Sequence, residues 1–304
     1  MAWDVRGKTV LITGATSGIG LEASVELARR GARVTMIGRD RVRTESAVAD
    51  VVARSGSPEV SHHLCDFSSQ AQIRRLAESV LARLARVHVL VNNAGGVNKA
   101  RRLTVDGIEA TFAVNHLGYF LLTNLLFDLL VRSAPARVVN VASVGHRRGT
   151  LDFDDLGFER GYGIMKAYAR SKLANVLFGA ELSRRLAGRG VTSNSVHPGS
   201  VATNIWSGAP LWAKPVIYLL FRPSFVSPEE GAAAVVRLAA DPGLEGVTGR
   251  YYEGGKAVEP APLARDERLA KRLWDVSAGM VGLRRELKRE AARPEGVGRR
   301  LGEA

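Results

Sequence analysis

The chain has 304 residues, 46% hydrophobic and 24% charged, a balance that excludes disordered and fibrous classes and fits a globular protein with a full core. Its single cysteine, Cys65, excludes a disulfide framework within the chain and fits a reducing compartment. The net charge of +13 invites an anionic partner, but the arginines are scattered among acids and no DNA or RNA recognition motif accompanies them, so a solvated basic surface and no nucleic-acid partner are expected.

In chain order, KTVLIT is a strand, since its apolar run is too short for a signal peptide and leads directly into glycines. Ile19 to Arg30 follows as a helix with Leu21, Val25 and Leu27 inward, closed by Gly31. ARVTMIG is the next strand, Glu45 to Ser55 a helix closed by Gly56, and EVSHHLCD a strand. Ser68 or Ser69 caps a helix whose Ile73, Leu76, Ala77, Val80 and Leu84 share one face. VHVLVNNAG reads as strand and turn, Leu103 to Val131 as one long or bent helix, ARVVNVAS as a strand, Met165 to Ala187 as a helix and VTSNSVHPG as a strand. Repeated units of this kind imply an α/β fold, a single domain with a doubly wound parallel sheet flanked by helices.

The stretch 200–228, rich in proline and aromatic residues, interrupts this rhythm and is expected to be a lid over an apolar pocket, with packing or a subunit contact as the rival reading. The catalytic domain is expected over 1–255. Residues 256–304 read as a basic helical extension whose last dozen residues are frayed or disordered. The greasiest segment, GYFLLTNLLFDLLV, is broken by polar residues and falls short of the roughly 20 apolar residues of a membrane span. A cytoplasmic protein is expected, with association at a membrane surface left open.

TGATSGIG, Thr13 to Gly20, lies between the first strand and the first helix. Gly14, Gly18 and Gly20 let the backbone turn tightly and approach a pyrophosphate, and Ser17, Gly18 and Ile19 open a helix whose N-terminus favours anions. This is a dinucleotide loop. The end of the second strand, Gly38-Arg39-Asp40, chooses the dinucleotide: Arg39 suits the 2′-phosphate of NADP, whereas Asp40 as a ribose partner would favour NAD. NADP is the expectation. His62, His63 and Cys65 alternate faces on one strand, so no metal site is expected.

In order along the chain, the Thr13–Gly20 loop, Asn92-Asn93-Ala94-Gly95, Asn115, Ser143, Tyr168, Lys172 and His197-Pro198-Gly199 with Val201 and Thr203 resemble the classical short-chain dehydrogenase/reductases over about Arg6 to Glu253. VNHLGYFLLTNLL, SKLANVLF and VHPG are similar to the retinol-dehydrogenase-like branch, with Tyr119 and Ala142 as departures. The resemblance implies a Rossmann-type fold and the interconversion of a lipophilic alcohol with its aldehyde or ketone. It implies catalytic roles for Asn115, Ser143, Tyr168 and Lys172. It further implies cofactor contacts from Asp66 and Phe67 (adenine), from Asn92, Ala94 and Gly95, and from Pro198, Gly199, Val201 and Thr203. A homodimer or homotetramer through the Val114–Val131 and Tyr168 helices follows in the same way.

Tyr168 and Lys172 alone would read as an amphipathic tyrosine and a snorkelling lysine on one helix, but together with Ser143 and the glycine loop they read as an acid–base group and its tuner. Residues four apart share a helix face, and an ammonium beside a phenol favours the phenolate. Lowering a tyrosine from near 10 by about three units takes roughly 4 kcal/mol. Ser143 suits a developing oxyanion. The competing reading is a non-catalytic dinucleotide sensor or scaffold on the same fold. Sugar epimerases and enoyl reductases fit less well, because their loop or Tyr-to-Lys spacing differs.

Overall fold

The fold is that of a computed structural model in which residues 3–201 and 225–283 are described. The strands are β1 (Thr9–Thr13), β2 (Arg33–Gly38), β3 (Val60–Leu64), β4 (Val89–Asn92), β5 (Ala136–Val141), β6 (Val191–His197), β7 (Ser200–Val201), β8 (Phe225–Val226), β9 (Tyr251–Glu253) and β10 (Lys256–Val258). The helices are α1 (Gly18–Arg29), α2 (Arg41–Ser55), α3 (Gln70–Arg83), α4 (Ala110–Phe112), α5 (Gly118–Leu125), α6 (Phe127–Arg132), α7 (Ile164–Arg185), α8 (Pro228–Ala240) and α9 (Glu267–Met280). A sheet of eight strands in the order β10-β9-β6-β5-β4-β1-β2-β3 is parallel throughout except for the β9–β10 hairpin. β1 sits between β2 and β4, with Val10 facing Val34 on one side and Val89 on the other.

All five residues of β1 are buried, as a central parallel strand covered on both faces requires. Each fully buried Leu or Ile there, Leu11 and Ile12 for example, contributes roughly 1.5–3 kcal/mol by leaving water. Helices cover both faces and enclose separate cores. Ile12, Val25, Leu27, Met36 and Val235 belong to the core under α1, α2 and α8. Leu11, Leu90, Phe120, Leu177 and Trp274 belong to the core under α3, α5, α7 and α9.

The expected helix over Leu103 to Val131 starts late. Gly107 takes a positive φ of 73°, Thr104 N–H donates to Ile108 O at 2.8 Å, and Leu103 bridges Glu109. The helix begins only at Ala110, where the Glu109 carboxylate accepts from the Thr111 and Phe112 N–H groups at 2.8 Å each. A π turn then fills Ala113–Leu117, and the chain bends again at Leu126 before α6. The residues after Gly255, expected to be helical from the start, first complete the sheet as β10 and then form α9. Stretch 202–224, Thr203 with it, and residues 284–304 lie outside the described residues. β7 and β8, at the two ends of that stretch, pair in parallel.

Candidate active site

The site lies beyond the C-terminal ends of β1, β2, β4 and β5, where open α/β sheets leave a crevice. A cleft of about 420 Å³ runs from Arg39 at one end to Ser143, Tyr168 and Lys172 at the other. Of the residues singled out in the sequence, Gly14, Ser17, Gly18, Ile19, Arg39, Asp66, Phe67, Ala94, Gly95, Ser143, Tyr168, Lys172, Pro198 and Gly199 line it.

The glycine loop is built for close approach. Gly14 has φ +65°, and a Cβ there would stand 2.7 Å from Ala94 Cα. Ser17 precedes α1 in extended conformation, and its hydroxyl makes no capping bond, so it and the first α1 N–H groups face the cleft uncommitted. Gly20 does not reach the cleft; it packs under the loop against Gly14 O and Asn93. Asn93, unnoticed beyond its place in the Asn-Asn-Ala-Gly run, holds the loop: its amide donates to Thr13 O at 2.9 Å and Gly14 O at 3.1 Å. Asn92 points away from the cleft and donates to Thr123 Oγ1 at 3.0 Å and Asn140 Oδ1 at 2.9 Å, behind β4.

At the far end of the cleft Arg39 is joined by Arg43, one turn into α2, which the sequence reading overlooked. Asp40 lines the cleft as well, and one oxygen of its carboxylate caps α2, accepting from Arg43 N–H at 2.9 Å. Asp66 also makes a local turn, accepting from Ser68 N–H at 2.9 Å, while still lining the cleft. Cys65 lines the cleft too, and burial pushes its thiol up to about 12, so it is an inert apolar wall. Among the described residues no group of three metal-ligating side chains converges.

Ser143 leaves β5 and opens a short 3₁₀ turn (Val144–Arg148), its hydroxyl accepting from Gly145 N–H at 3.1 Å. Lys172 is buried and donates to Val141 O at 3.0 Å. Burial lowers its pKa to about 8. Its Nζ stands 5.6 Å from the Tyr168 ring centroid. From their spacing Lys172 is expected to lower the Tyr168 phenol. In the structure burial dominates and raises the Tyr168 pKa, and the group pulling it down is the Ser143 hydroxyl. Asn115 sits in the π turn and lies behind the cleft. Its amide donates to Gly96 O at 2.9 Å and Ser171 Oγ at 3.0 Å, and its oxygen accepts from Gly96 N–H at 2.9 Å. Ser171 Oγ in turn donates to Tyr168 O at 2.7 Å, so Asn115 braces the first turns of α7. His197 also lines the cleft, kept neutral by burial that lowers its pKa.

The short chain dehydrogenase family profile matches residues 8–213. The chain is 45% identical to human retinol dehydrogenase 14 over 294 residues, covering 92% of this chain and 88% of that protein. A solved structure of an uncharacterized Mycobacterium paratuberculosis protein superposes with a TM-score of 0.75 at 32% identity, covering 92% of this chain and 96% of the other. The Pseudomonas aeruginosa RhlG/NADP active-site complex superposes with a TM-score of 0.67 at 27% identity, covering 88% and 98%.

Proposed function

The chain belongs to the short chain dehydrogenase family, in its retinol-dehydrogenase-like branch, and on that footing we propose that it is an NADP-dependent reductase of lipophilic aldehydes and ketones. The observation that carries the reading is the convergence of Ser143, Tyr168 and Lys172 at one end of a cleft whose other end is the glycine loop and Arg39. A nicotinamide dinucleotide fits there: the Gly14 cradle has no room for a Cβ, and α1 presents free N–H groups. When bound, the dinucleotide supplies or accepts the hydride.

The residues of the chain do the rest. Tyr168 donates the proton that the carbonyl oxygen needs, and the phenol raised by burial is protonated at neutral pH, the state a donor must hold. Ser143 holds that oxygen and stabilises its growing charge. Lys172 fixes the ribose and presents positive charge to the phenol. Asn115 holds α7 in place from behind. Two guanidinium side chains at that end of the cleft, Arg39 and Arg43, support a 2′-phosphate over a bare ribose, and one oxygen of the neighbouring Asp40 is taken by the helix cap. The NADP bound in the RhlG complex favours the same choice. Partly exposed Val144, beside Ser143, and Ile164 and Met165, one turn before Tyr168, support an apolar substrate.

The test is titration with NADPH and NADH by nicotinamide fluorescence, followed by turnover of a panel of lipophilic aldehydes and ketones. We expect tighter NADPH binding and turnover of at least one carbonyl. Tyr168→Phe should abolish turnover and leave the NADPH dissociation constant within about twofold. Binding without any turnover would favour a dinucleotide sensor, and wild-type kcat in the Tyr168 variant would remove the acid–base assignment.

A further inference from the structure

His146 follows Ser143 by three residues, inside the 3₁₀ turn, and is 1% exposed. No solvent can satisfy its ring, so both nitrogens need protein partners. Nδ1 lies 2.7 Å from the Ser143 carbonyl oxygen, and Nε2 lies 3.0 Å from the main-chain nitrogen of Ala261. The Ala261 N–H is a donor, so Nε2 accepts. A neutral imidazole carries one proton, which therefore sits on Nδ1 and is donated to Ser143 O. The ring also stands edge-on to Tyr251 of β9, with centroids 4.8 Å apart. Ser143 is thus held at both ends, its hydroxyl by the Gly145 N–H and its carbonyl by both the main-chain N–H of His146, at 3.0 Å, and the imidazole Nδ1–H.

We propose that His146 is a positioning residue for Ser143, its tautomer set by the Ala261 N–H, so that the segment after β10 takes part in aiming the serine hydroxyl. The proposal rests on the role of Ser143 given above. Nothing in the spacing of the sequence marks it, because Ala261 lies 115 residues from His146.

Asparagine and glutamine separate the two bonds. In His146→Asn the side-chain amide nitrogen stands where Nδ1 stands and can still donate to Ser143 O, while Ala261 is out of reach. In His146→Gln the side-chain oxygen stands near Nε2 and can accept from Ala261, while the side-chain donor to Ser143 O is lost and only the main-chain N–H of residue 146 remains on it. We expect kcat within about threefold of wild type for His146→Asn, and a fall of about tenfold or more for His146→Gln with KM and the NADPH dissociation constant little changed. Ala261→Pro replaces the N–H by a ring methylene facing Nε2, so it removes the donor and crowds the imidazole, while the backbone, at φ −55° and ψ 152° before Pro262, is one proline accepts. With Nε2 stripped of its donor and the ring displaced, kcat should fall several-fold in the wild-type background and not at all in His146→Asn, which has no ring to displace.

Equal kcat losses in the Asn and Gln variants, or losses that follow thermal stability, would overturn the proposal. Should either variant fail to fold, Ala261→Pro with unchanged kcat would overturn it equally. Ser143→Ala tests the underlying assignment separately: turnover retained there removes the serine role itself, whatever the His146 variants do.

Discussion

Lys172 is an ammonium placed where burial disfavours it, with Val141 O as its hydrogen-bond acceptor. The drop from 10.5 to about 8 corresponds to a destabilisation of roughly 3 kcal/mol in the folded chain. Below about pH 8 both folded and unfolded chains hold the proton, and the penalty is complete. Between there and 10.5 the unfolded chain alone holds it, so the penalty shrinks as pH rises and is gone above. Lys172→Met should therefore be inactive yet more stable than wild type in urea at pH 7, with that advantage much reduced at pH 10. An advantage independent of pH would contradict the burial argument. Tyr168 carries the matching kinetic expectation. Its phenol is raised, so reduction needs no ionisation and its rate should be flat across neutral pH. Alcohol oxidation needs the phenolate, and its rate should climb with pH through the alkaline range. Parallel pH profiles in the two directions would count against Tyr168 as the proton donor.

At the scale of elements, the turn from β2 into α2 separates two neighbours that read alike in the sequence. Asp40 is a cap, so Asp40→Ala should lower stability by about 1 kcal/mol and leave the preference for NADPH over NADH unchanged. Arg39→Ala should leave stability unchanged and weaken NADPH binding by about tenfold or more, with NADH unaffected. Fluorescence titration of the two variants beside urea melts checks both. The glycine loop, the first six strands and the Tyr168 helix were legible because each is signalled by neighbours in the chain: glycines in register, β-branched runs and a tyrosine and lysine four residues apart. The late start of the helix at Ala110 was not, since apolar residues at 103, 105 and 108 imitate a helix that the Thr104–Gly107 turn forbids. The π turn around Asn115 was invisible for a similar reason: one residue of extra winding leaves no mark on composition. Asn93 and His146 act through partners 80 and 115 residues away, where local patterns carry no information.

Across the whole molecule, α9 closes the core beneath α5 and α7. Trp274 stands 4.8 Å from Phe120 and stacks on Phe178 at 5.8 Å, with the Arg185 guanidinium over its ring. His116, fully buried and held neutral with a pKa of about 3, meets Ser277 Oγ at 2.9 Å and ties α9 to the π turn. Phe120 and Phe178, on the two helices through which an oligomer was expected, make these contacts within the chain, and light scattering tests the oligomer itself. Trp274→Ala should cost about 3 kcal/mol in chemical denaturation. The order of the strands also sets a timetable for synthesis. Ribosomes deliver β1 first, into what becomes the middle of the sheet, and among the described residues every group lining the dinucleotide cleft has been made by Gly199. The partner of His146 is made more than sixty residues later, at Ala261, and the tryptophan that seals the core later still. A chain cut after Gly255 would lack the Ala261 N–H, so the contact proposed to position Ser143 comes only with the segment that follows the sheet.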